Sequence, residues 1–203
     1  MSDHTFEMED LEEKQQREPN NSERITFGDI INMVLYIAVV LLLTYLFLAY
    51  VGQRTVVSGS SMESTLHDGD QLLVDKLSYH IREPKRFEIV VFPYQYEEDT
   101  YYIKRVIGLP GETVRIDLDG NIYINGEILA ENYGRETILN PGLAADPITL
   151  GKDEYFVMGD NRNNSTDSRF ENVGPIKSDD IIGRALLRVY PFQTIKSLTV
   201  KEQ

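Results

Sequence analysis

The sequence predicts a mostly β, antiparallel domain that is preceded by one transmembrane helix. Two observations predict this fold class. Residues 30–53 contain no charged side chain and include the apolar run MVLYIAVVLLLTYLFLAYV. Residues 54–203 alternate short apolar runs, such as FEIVVF and EYFVMG, with turn signals, and no long amphipathic helix interrupts them. Short, closely spaced strands of this kind are typical of antiparallel hairpins.

Residues 1–29 form a polar and acidic segment. Between Asp3 and Glu18 the chain carries several carboxylates and few apolar side chains. Such a segment cannot bury enough apolar surface to offset the entropy lost on ordering. We therefore predict a disordered tail. A role in docking to a receptor is the alternative, and a tail that is simply kept solvated by its carboxylates is favoured over it.

Residues 30–53 are long enough to cross a bilayer, because about 20 helical residues span the ~30 Å hydrocarbon core. A cleavable signal peptide would have an apolar region of roughly 7–15 residues and an A-x-A-like site, and this run is longer and has no such site. A buried helix of a soluble protein would carry a polar stripe. We therefore predict a transmembrane signal-anchor helix.

The basic residues predict the orientation of this helix. Lys14, Arg17 and Arg24 precede the span and Arg54 follows it, so the positive-inside rule places the tail in the cytoplasm. The expected arrangement is a single-pass protein of the cell membrane, with residues 54–203 outside the cytoplasm. Within that region, Asp119-Gly120 and Asn125-Gly126 predict hairpin turns, and residues 131–152 predict a loop or small insertion.

Composition excludes several classes of function. The chain has 20 basic and 33 acidic residues, a net charge of −13, and no dense Lys/Arg run, so a nucleic-acid partner is not expected. The absence of cysteine excludes disulfides, thiolate metal sites and a cysteine nucleophile. The polar loop at 160–164 fails as a calcium loop because Arg162 occupies a ligand position. We expect neither a metal nor a cofactor.

The segment Ser58–Met62 contains candidate nucleophiles, although serine beside glycine also marks ordinary turns. A serine hydroxyl needs a base to remove its proton. Among the histidines, His67 and His80 lie in polar loops typical of surface positions. Lys104 is the other candidate, since strand alternation places it on one face with Tyr102 and Val106, where burial would lower its pKa. The alternative is a lysine at a strand edge that reaches into water.

Four segments in chain order resemble the sequence boxes of the signal peptidase I family. Residues 61–66 resemble S-M-x-P-T-L, and residues 69–76 resemble G-D-x-x-x-V-x-K. Residues 102–111 resemble Y-I-K-R-V-I-G-x-P-G, and residues 159–169 resemble G-D-N-R-x-x-S-x-D-S-R. Together these boxes are distributed over residues 56–190. The single anchor and the short insertion resemble the compact form of the family that is common in Gram-positive bacteria.

The resemblance implies a membrane-bound serine endopeptidase that removes N-terminal signal peptides from exported preproteins. It implies an antiparallel β-sheet catalytic domain of the type shared with self-cleaving repressors, and preprotein substrates with small side chains at positions −1 and −3. Three alternatives remain: a catalytically inactive relative acting as a scaffold in surface-protein or pilus assembly, a self-cleaving repressor, and an inert tethered β domain. The first is expected to lose Ser61 or Lys104, and the second would need a DNA-binding module instead of the anchor.

The resemblance also implies the roles of individual residues. Ser61 would attack the scissile carbonyl, Lys104 would take its proton, and Ser165 would hold the lysine amine by a hydrogen bond. The residues expected to support the site or to contact the substrate and oxyanion are Asp160, Asp167, Arg169, Gly59, Ser60 and Met62. The backbone N–H of Ser61 would stabilise the oxyanion.

Three positions depart from the family pattern. Ser64 replaces the usual proline, which predicts a looser turn after Ser61. Glu112 replaces the usual aspartate. Gly59 stands where some members carry a serine that serves as a second oxyanion donor, so that side-chain donor is absent here.

Overall fold

The computed structural model describes residues 26–50 and 52–200. The predicted disordered tail falls almost entirely outside the described residues. The chain divides between Leu43 and Thr44 into two compact units.

Helix α1 runs over Phe27–Tyr50. It begins three residues before the predicted start at residue 30, because Thr26 and Asp29 cap its first turn. The Thr26 N–H donates a hydrogen bond of 2.8 Å to Asp29 Oδ2, and the Asp29 N–H donates to Thr26 Oγ1 at 3.3 Å. This reciprocal pair is a capping box, which satisfies backbone donors that have no partner within the helix.

The helix also ends before the predicted boundary at residue 53. Gly52 and Gln53 belong to strand β1 (Gly52–Val56), where they pair with Asp75 and Val74. Over residues Phe27–Tyr45 the mean hydropathy is 2.1, and none of the most apolar stretch is buried by the protein. A helix of this length with apolar side chains all round is suited to a lipid environment.

The larger sheet has eight strands, all joined by antiparallel pairs. After β1, its strands in chain order are β2 (Gln71–Asp75), β3 (Ile89–Pro93), β4 (Tyr101–Gly108), β9 (Glu154–Met158), β10 (Ile176–Lys177), β11 (Gly183–Tyr190) and β12 (Lys196–Ser197). The spatial order is β1-β2-β11-β3-β4-β9-β10, and β12 pairs with β11. Strand β1 therefore lies at an edge of the sheet.

The smaller sheet has four strands, β5 (Thr113–Ile116), β6 (Ile122–Ile124), β7 (Glu127–Ile128) and β8 (Ile148–Thr149). Its order is β7-β6-β5-β8, and every pair is antiparallel. The predicted turn at Asn125-Gly126 joins β6 to β7, and both residues have positive φ, as a two-residue hairpin requires. The prediction of a mostly β, antiparallel domain is confirmed.

Segment 131–152 has more structure than a plain loop. It contains the short 3-10 helix Gly142–Ala145 and strand β8. Three further 3-10 turns connect strands elsewhere, at Ser78–His80, Ser178–Asp180 and Phe192–Thr194.

Three apolar clusters form the core, and β4 contributes to each of them. Ile103 packs with Met62 and Leu66, Ile107 packs beneath the smaller sheet, and Val106 packs with β9 residues. From Ile103 to Gly108 every residue of β4 is buried. A polar side chain on this strand is therefore held in an apolar interior.

Candidate active site

Ser61 and Lys104 lie in direct contact. Lys104 Nζ is 2.7 Å from Ser61 Oγ, although the two residues are 43 positions apart in the chain. Ser61 opens the turn that follows β1, and Lys104 lies on β4, opposite Val90 of β3. The sheet thus brings a hydroxyl and an amine to hydrogen-bond distance.

The turn after Ser61 is fixed by buried side chains and backbone hydrogen bonds. The Met62 carbonyl accepts hydrogen bonds of 2.8 Å from the N–H groups of Thr65 and Leu66. The side chains of Met62 and Leu66 are buried in the core. This turn is hydrogen-bonded despite Ser64, where the family pattern has proline.

Lys104 is 4% exposed, so its side chain is almost completely removed from solvent. Burial lowers the pKa of Lys104 to about 8, while the negative charges of Asp167 and Asp160 act in the opposite direction and Arg169 adds a small decrease. Desolvation disfavours the ammonium form, which explains the direction of the change. The ring of Tyr102 lies 4.9 Å from Nζ and helps to enclose it.

This arrangement can activate a serine. A lysine with a pKa of about 8 is neutral in a useful fraction of molecules near neutral pH. Its lone pair can accept the Ser61 proton along the existing 2.7 Å contact. Nucleophile and base are thus paired as covalent catalysis requires.

The backbone N–H of Ser61 is available for an oxyanion. Within residues 52–200, no acceptor takes a hydrogen bond from it. The neighbouring Gly59 has φ +91° and donates its own N–H to Asp68 Oδ1 at 2.8 Å. A preorganised donor of this kind stabilises the negative charge that develops in acyl transfer.

Two asparagines of the 159–169 segment hold the nucleophile turn from the other side. The Asn161 N–H donates to the Ser61 carbonyl at 3.0 Å, and its side-chain amide donates to the Ser60 carbonyl at 3.1 Å. The Asn164 amide donates to Ser60 Oγ at 2.7 Å. Sequence reasoning assigned no role to these asparagines.

Asp160 is fully buried and pairs with Arg105. Arg105 Nε and Nη2 contact the two carboxylate oxygens at 2.8 and 2.6 Å, and Thr65 Oγ1 donates to Asp160 Oδ2 at 2.5 Å. The Tyr133 ring covers the Arg105 guanidinium at 3.8 Å. Asp160 therefore joins the 159–169 segment to β4 and to the turn that follows Ser61. A bidentate pair of arginine and carboxylate is strong and fixes the geometry of both partners.

Asp167 and Arg169 form a second buried pair. Arg169 Nε and Nη2 contact Asp167 at 2.8 and 2.9 Å, and Arg169 donates further hydrogen bonds to the carbonyls of Asn140 and Arg162. Asp167 Oδ2 also accepts the Gly159 N–H at 3.0 Å. Both side chains are almost completely buried, so this is an interior ion pair and not a surface one.

Ser165 lies close to Ser61 but does not make the predicted contact. A Cβ built on Gly159 would meet Ser165 Oγ at 2.3 Å and the Ser61 carbonyl at 2.4 Å, so both groups press on Gly159. Yet Ser165 Oγ is buried and has no hydrogen-bond partner within the described residues. The expected hydrogen bond between Ser165 and Lys104 is therefore not formed in this structure.

Ser61 and Lys104 open onto a cleft of about 470 Å³. Its lining residues come mainly from the end of β1, the segment 57–62 and the start of β4. Residues Tyr101–Lys104 pair with β3 on one side only, since β9 pairs with β4 from Arg105 onward. The cleft is thus bordered by strand edges that have free backbone groups.

The histidine alternatives do not enter this cleft. The side chain of His67 is 61% exposed and lies 3.9 Å from Asp70, and His80 is exposed on a 3-10 turn. Neither lines the cleft that contains Ser61. Among the described residues, no group of three or more His, Asp or Glu side chains could hold a metal ion.

Comparisons with known proteins agree with one another. Residues 30–190 match the family described as "Signal peptidase, peptidase S26". The chain is 40% identical over 156 residues to a probable signal peptidase I-2 of Synechocystis sp., covering 74% of this chain and 68% of that protein. It is 40% identical over 167 residues to signal peptidase I T of Bacillus subtilis strain 168, covering 79% and 85%.

Two further relatives complete this set. Signal peptidase I P of Bacillus subtilis subsp. natto is 36% identical over 183 residues, covering 87% of this chain and 97% of that protein. A crystal structure of a signal peptidase I from Enterococcus faecalis V583 is 34% identical, with a TM-score of 0.41, covering 51% of this chain and 97% of that chain.

Proposed function

Because this chain belongs to the signal peptidase family, peptidase S26, and is a membrane-anchored serine endopeptidase that removes signal peptides from preproteins, we propose that Ser61 is its nucleophile and Lys104 its general base. The observation that carries this assignment is the 2.7 Å contact between Lys104 Nζ and Ser61 Oγ at the floor of an open cleft. Both residues are present, and nothing favours the inactive-scaffold alternative.

In the proposed reaction, neutral Lys104 takes the Ser61 proton as Oγ attacks the scissile carbonyl carbon. The resulting oxyanion accepts a hydrogen bond from the Ser61 N–H, and a donor of this kind contributes about 3 kcal/mol to catalysis. The ammonium of Lys104 then gives its proton to the leaving amine, which departs as the new N-terminus of the mature protein. Lys104 then deprotonates a water that attacks the acyl-enzyme carbonyl, and it returns that proton to Ser61 Oγ as the signal peptide is released.

We propose that the substrate binds as an extended strand. The free edges of β1 and of residues Tyr101–Lys104 border the cleft, and an extended peptide can form main-chain hydrogen bonds to such edges. Alternate side chains would then enter the cleft, where the exposed side chain of Val56 presents apolar surface. The family resemblance implies small side chains at positions −1 and −3 of this strand.

The other groups of the site have supporting roles in this proposal. Gly59, Ser60 and Met62 border the substrate and oxyanion position, and the buried pairs of Asp160 and of Asp167 with Arg169 brace the 159–169 segment. Ser165 is proposed to support the amine during the reaction. The mechanism assigns proton transfer to Lys104 and requires no metal ion.

We propose a single-pass arrangement in which residues 1–29 lie in the cytoplasm, residues 30–53 include the membrane anchor, and residues 54–203 form an extracytoplasmic peptidase domain. The basic residues that precede the span support this orientation. The β domain also exposes Tyr190, Phe192 and Ile195, the first two in edge-to-face contact at 5.5 Å. Aromatic groups of this kind favour the membrane interface, which supports a lipid contact.

The test is cleavage of a purified preprotein with A-x-A at its signal end, in detergent micelles. Wild type should cleave after the second alanine, and Ser61→Ala and Lys104→Ala should fall to background. His67→Ala serves as the matched control and should cleave at the wild-type rate. If folded wild type left the preprotein intact, the scaffold alternative would replace the enzyme, and loss of activity in His67→Ala alone would identify a different base.

A further inference from the structure

Segment 131–135 lies outside the four family boxes. It contacts the turn that follows Ser61 and the 159–169 segment at several points. The Arg135 N–H donates to the Asp160 carbonyl at 2.9 Å, and Arg135 Nη1 pairs with Glu63 at 2.8 Å, two positions after Ser61. The Tyr133 ring packs against Phe87 at a tilt of 41° and covers the guanidinium of Arg105. The segment therefore touches both the nucleophile turn and the 159–169 segment.

The most buried of these contacts is the ion pair of Glu131 with Arg162. Glu131 Oε1 is 2.8 Å from Arg162 Nη1, and the two side chains are 11% and 2% exposed. The other carboxylate oxygen of Glu131 accepts the Tyr133 N–H at 2.8 Å, which fixes the carboxylate within its own segment. Gly134 lies against the guanidinium, and a Cβ there would approach Arg162 Cζ to 3.3 Å.

Arg162 connects Glu131 to the residues around Ser61. Its Nε donates to the Gly159 carbonyl at 3.1 Å. Gly159 in turn lies close to the Ser61 carbonyl and to Ser165 Oγ, since a Cβ built on it would come within 2.4 Å of both. The chain of contacts is therefore Glu131, Arg162, Gly159 and Ser61.

Glu131 is the only ionic partner of Arg162 among the described residues. The remaining guanidinium nitrogen, Nη2, is buried without a hydrogen-bond partner. A buried cation that loses its carboxylate shifts towards other acceptors or water, because an unpaired buried charge is strongly unfavourable. Loss of the Glu131 carboxylate would therefore move the guanidinium, and with it the Gly159 carbonyl to which Arg162 Nε donates.

We propose that Glu131 is a positioning residue for the Ser61–Lys104 dyad and acts through Arg162 and Gly159; this inference rests on the proposed function of that dyad. Glu131 touches neither substrate nor reacting atoms. Its carboxylate sets the position of the Gly159 backbone, and Gly159 sets the direction of Ser61 Oγ relative to Lys104 Nζ. Because reacting groups must be aligned closely, this contact governs turnover and leaves substrate binding unchanged.

The experiment measures kcat and KM for a fluorogenic peptide that spans an A-x-A cleavage site, using the full chain in detergent. The variants are Glu131→Gln and Arg162→Lys, singly and together, and Glu127→Gln is the matched control. Glu127 is an exposed carboxylate on β7 and makes no contact in this network. Circular dichroism at the assay temperature gives the folded fraction, by which each kcat is divided.

We expect Glu131→Gln to lower kcat about tenfold with KM within about twofold of wild type, since misplacement by ~1 Å is costly in catalysis. Arg162→Lys can still pair with Glu131 but lacks Nε, and it should give a similar loss that the double variant does not increase. Glu127→Gln should match wild type. If Glu131→Gln reduces the folded fraction, Glu131→Asp, which keeps the charge on a shorter side chain, should show a smaller fall in kcat.

The inference is overturned if kcat per folded enzyme in Glu131→Gln and Glu131→Asp equals that of wild type, or if KM rises while kcat is constant. Additive losses in the double variant would also overturn it. A wild type that does not cleave the peptide would instead contradict the proposed function, so the two failures are distinguishable.

Discussion

Arg105 and Asp160 form a bidentate ion pair whose members each adjoin a residue of the active centre. Arg105 follows Lys104 on β4, and Asp160 follows Gly159, which presses against the Ser61 carbonyl. Both side chains are almost inaccessible to solvent, at 3% and 0% exposure. This pair therefore fixes the distance between the strand that carries the base and the segment that supports the nucleophile.

Asp160→Asn should destabilise the β domain strongly. It leaves the Arg105 guanidinium buried without a carboxylate, and breaking a buried pair in this way costs about 3–5 kcal/mol. Urea unfolding followed by circular dichroism measures the change. The control is Glu63→Gln, which removes the half-exposed pair with Arg135 and should cost at most about 1 kcal/mol. Equal losses in the two variants would contradict the structural role of Asp160.

The pH dependence of cleavage should follow the deprotonation of Lys104. Because the neutral amine is the active form, kcat/KM should rise about tenfold per pH unit in the acid range and level off near a pKa of about 8. The measurement is kcat/KM for a peptide substrate from pH 5 to 10, with stability monitored at each value. A profile that is flat over this range would rule out Lys104 as the base.

The same pKa predicts that Lys104→Met stabilises the fold while it abolishes cleavage. The pKa of Lys104 is about 8 in the folded protein and 10.5 in the unfolded chain. The unfolded chain therefore binds more protons between these values, and wild-type stability should rise with pH across this window. Below this pH window, the buried ammonium lowers the free energy of unfolding by its full cost. That cost is up to about 3 kcal/mol, at 1.36 kcal/mol per pKa unit.

Methionine has a similar shape and no charge, so Lys104→Met should be more stable than wild type at pH 7, and the two stabilities should converge as the pH approaches 10. Thermal unfolding at pH 7 and pH 10 gives both values. A variant that is less stable than wild type at pH 7 would show that the Ser61 contact outweighs the cost of burial.

The strong local patterns of the sequence predicted the architecture. The uncharged run gave the helix because its composition alone decides it, whereas its exact start depended on the capping pair Thr26 and Asp29, which lie outside the apolar run. The turn at Asn125-Gly126 was predictable because few residue pairs tolerate positive φ at both positions. The burial of Lys104 depends on which strands flank β4. Alternation along one strand shows which face a side chain lies on, but it does not predict whether that face is covered.

The contacts that support the site could not be predicted in the same way. Arg105 and Asp160 are 55 positions apart, and Glu131 meets Arg162 from a segment with no periodic pattern. Such pairs depend on where loops meet in space, which local propensity does not encode. Ser165 shows the converse case: the family pattern implied a bond to Lys104, but its hydroxyl has no partner within the described residues.

Ser165→Ala separates the stability of the resting protein from a role in the reaction. Since Ser165 Oγ makes no hydrogen bond in the structure, its removal should change the free energy of unfolding by no more than about 1 kcal/mol. If the hydroxyl supports Lys104 once the amine is protonated, kcat should fall by at least about tenfold, because catalytic hydrogen bonds often tighten only in the reacting complex. Wild-type kcat in this variant would remove Ser165 from the proposed mechanism.

Gly159→Ala should lower the rate of cleavage strongly for a steric reason. A Cβ at this position would lie 2.3 Å from Ser165 Oγ and 2.4 Å from the Ser61 carbonyl, and the second contact is with backbone that cannot rotate away. The nucleophile turn must therefore move, and we expect kcat to fall by about a hundredfold or more, as misplacement of a reacting group by ~1 Å can cause.

The matched control for Gly159→Ala is Gly126→Ala in the β6–β7 hairpin. Gly126 has φ +87° and open space around its Cβ position, so alanine there costs about 1 kcal/mol of backbone strain without touching the site. Cleavage assays of both variants, each normalised to folded protein, distinguish the clash from general destabilisation. Similar kcat values for the two variants would mean that the Ser61 carbonyl can move without loss of catalysis, and the contact with Gly159 would then have no role in alignment.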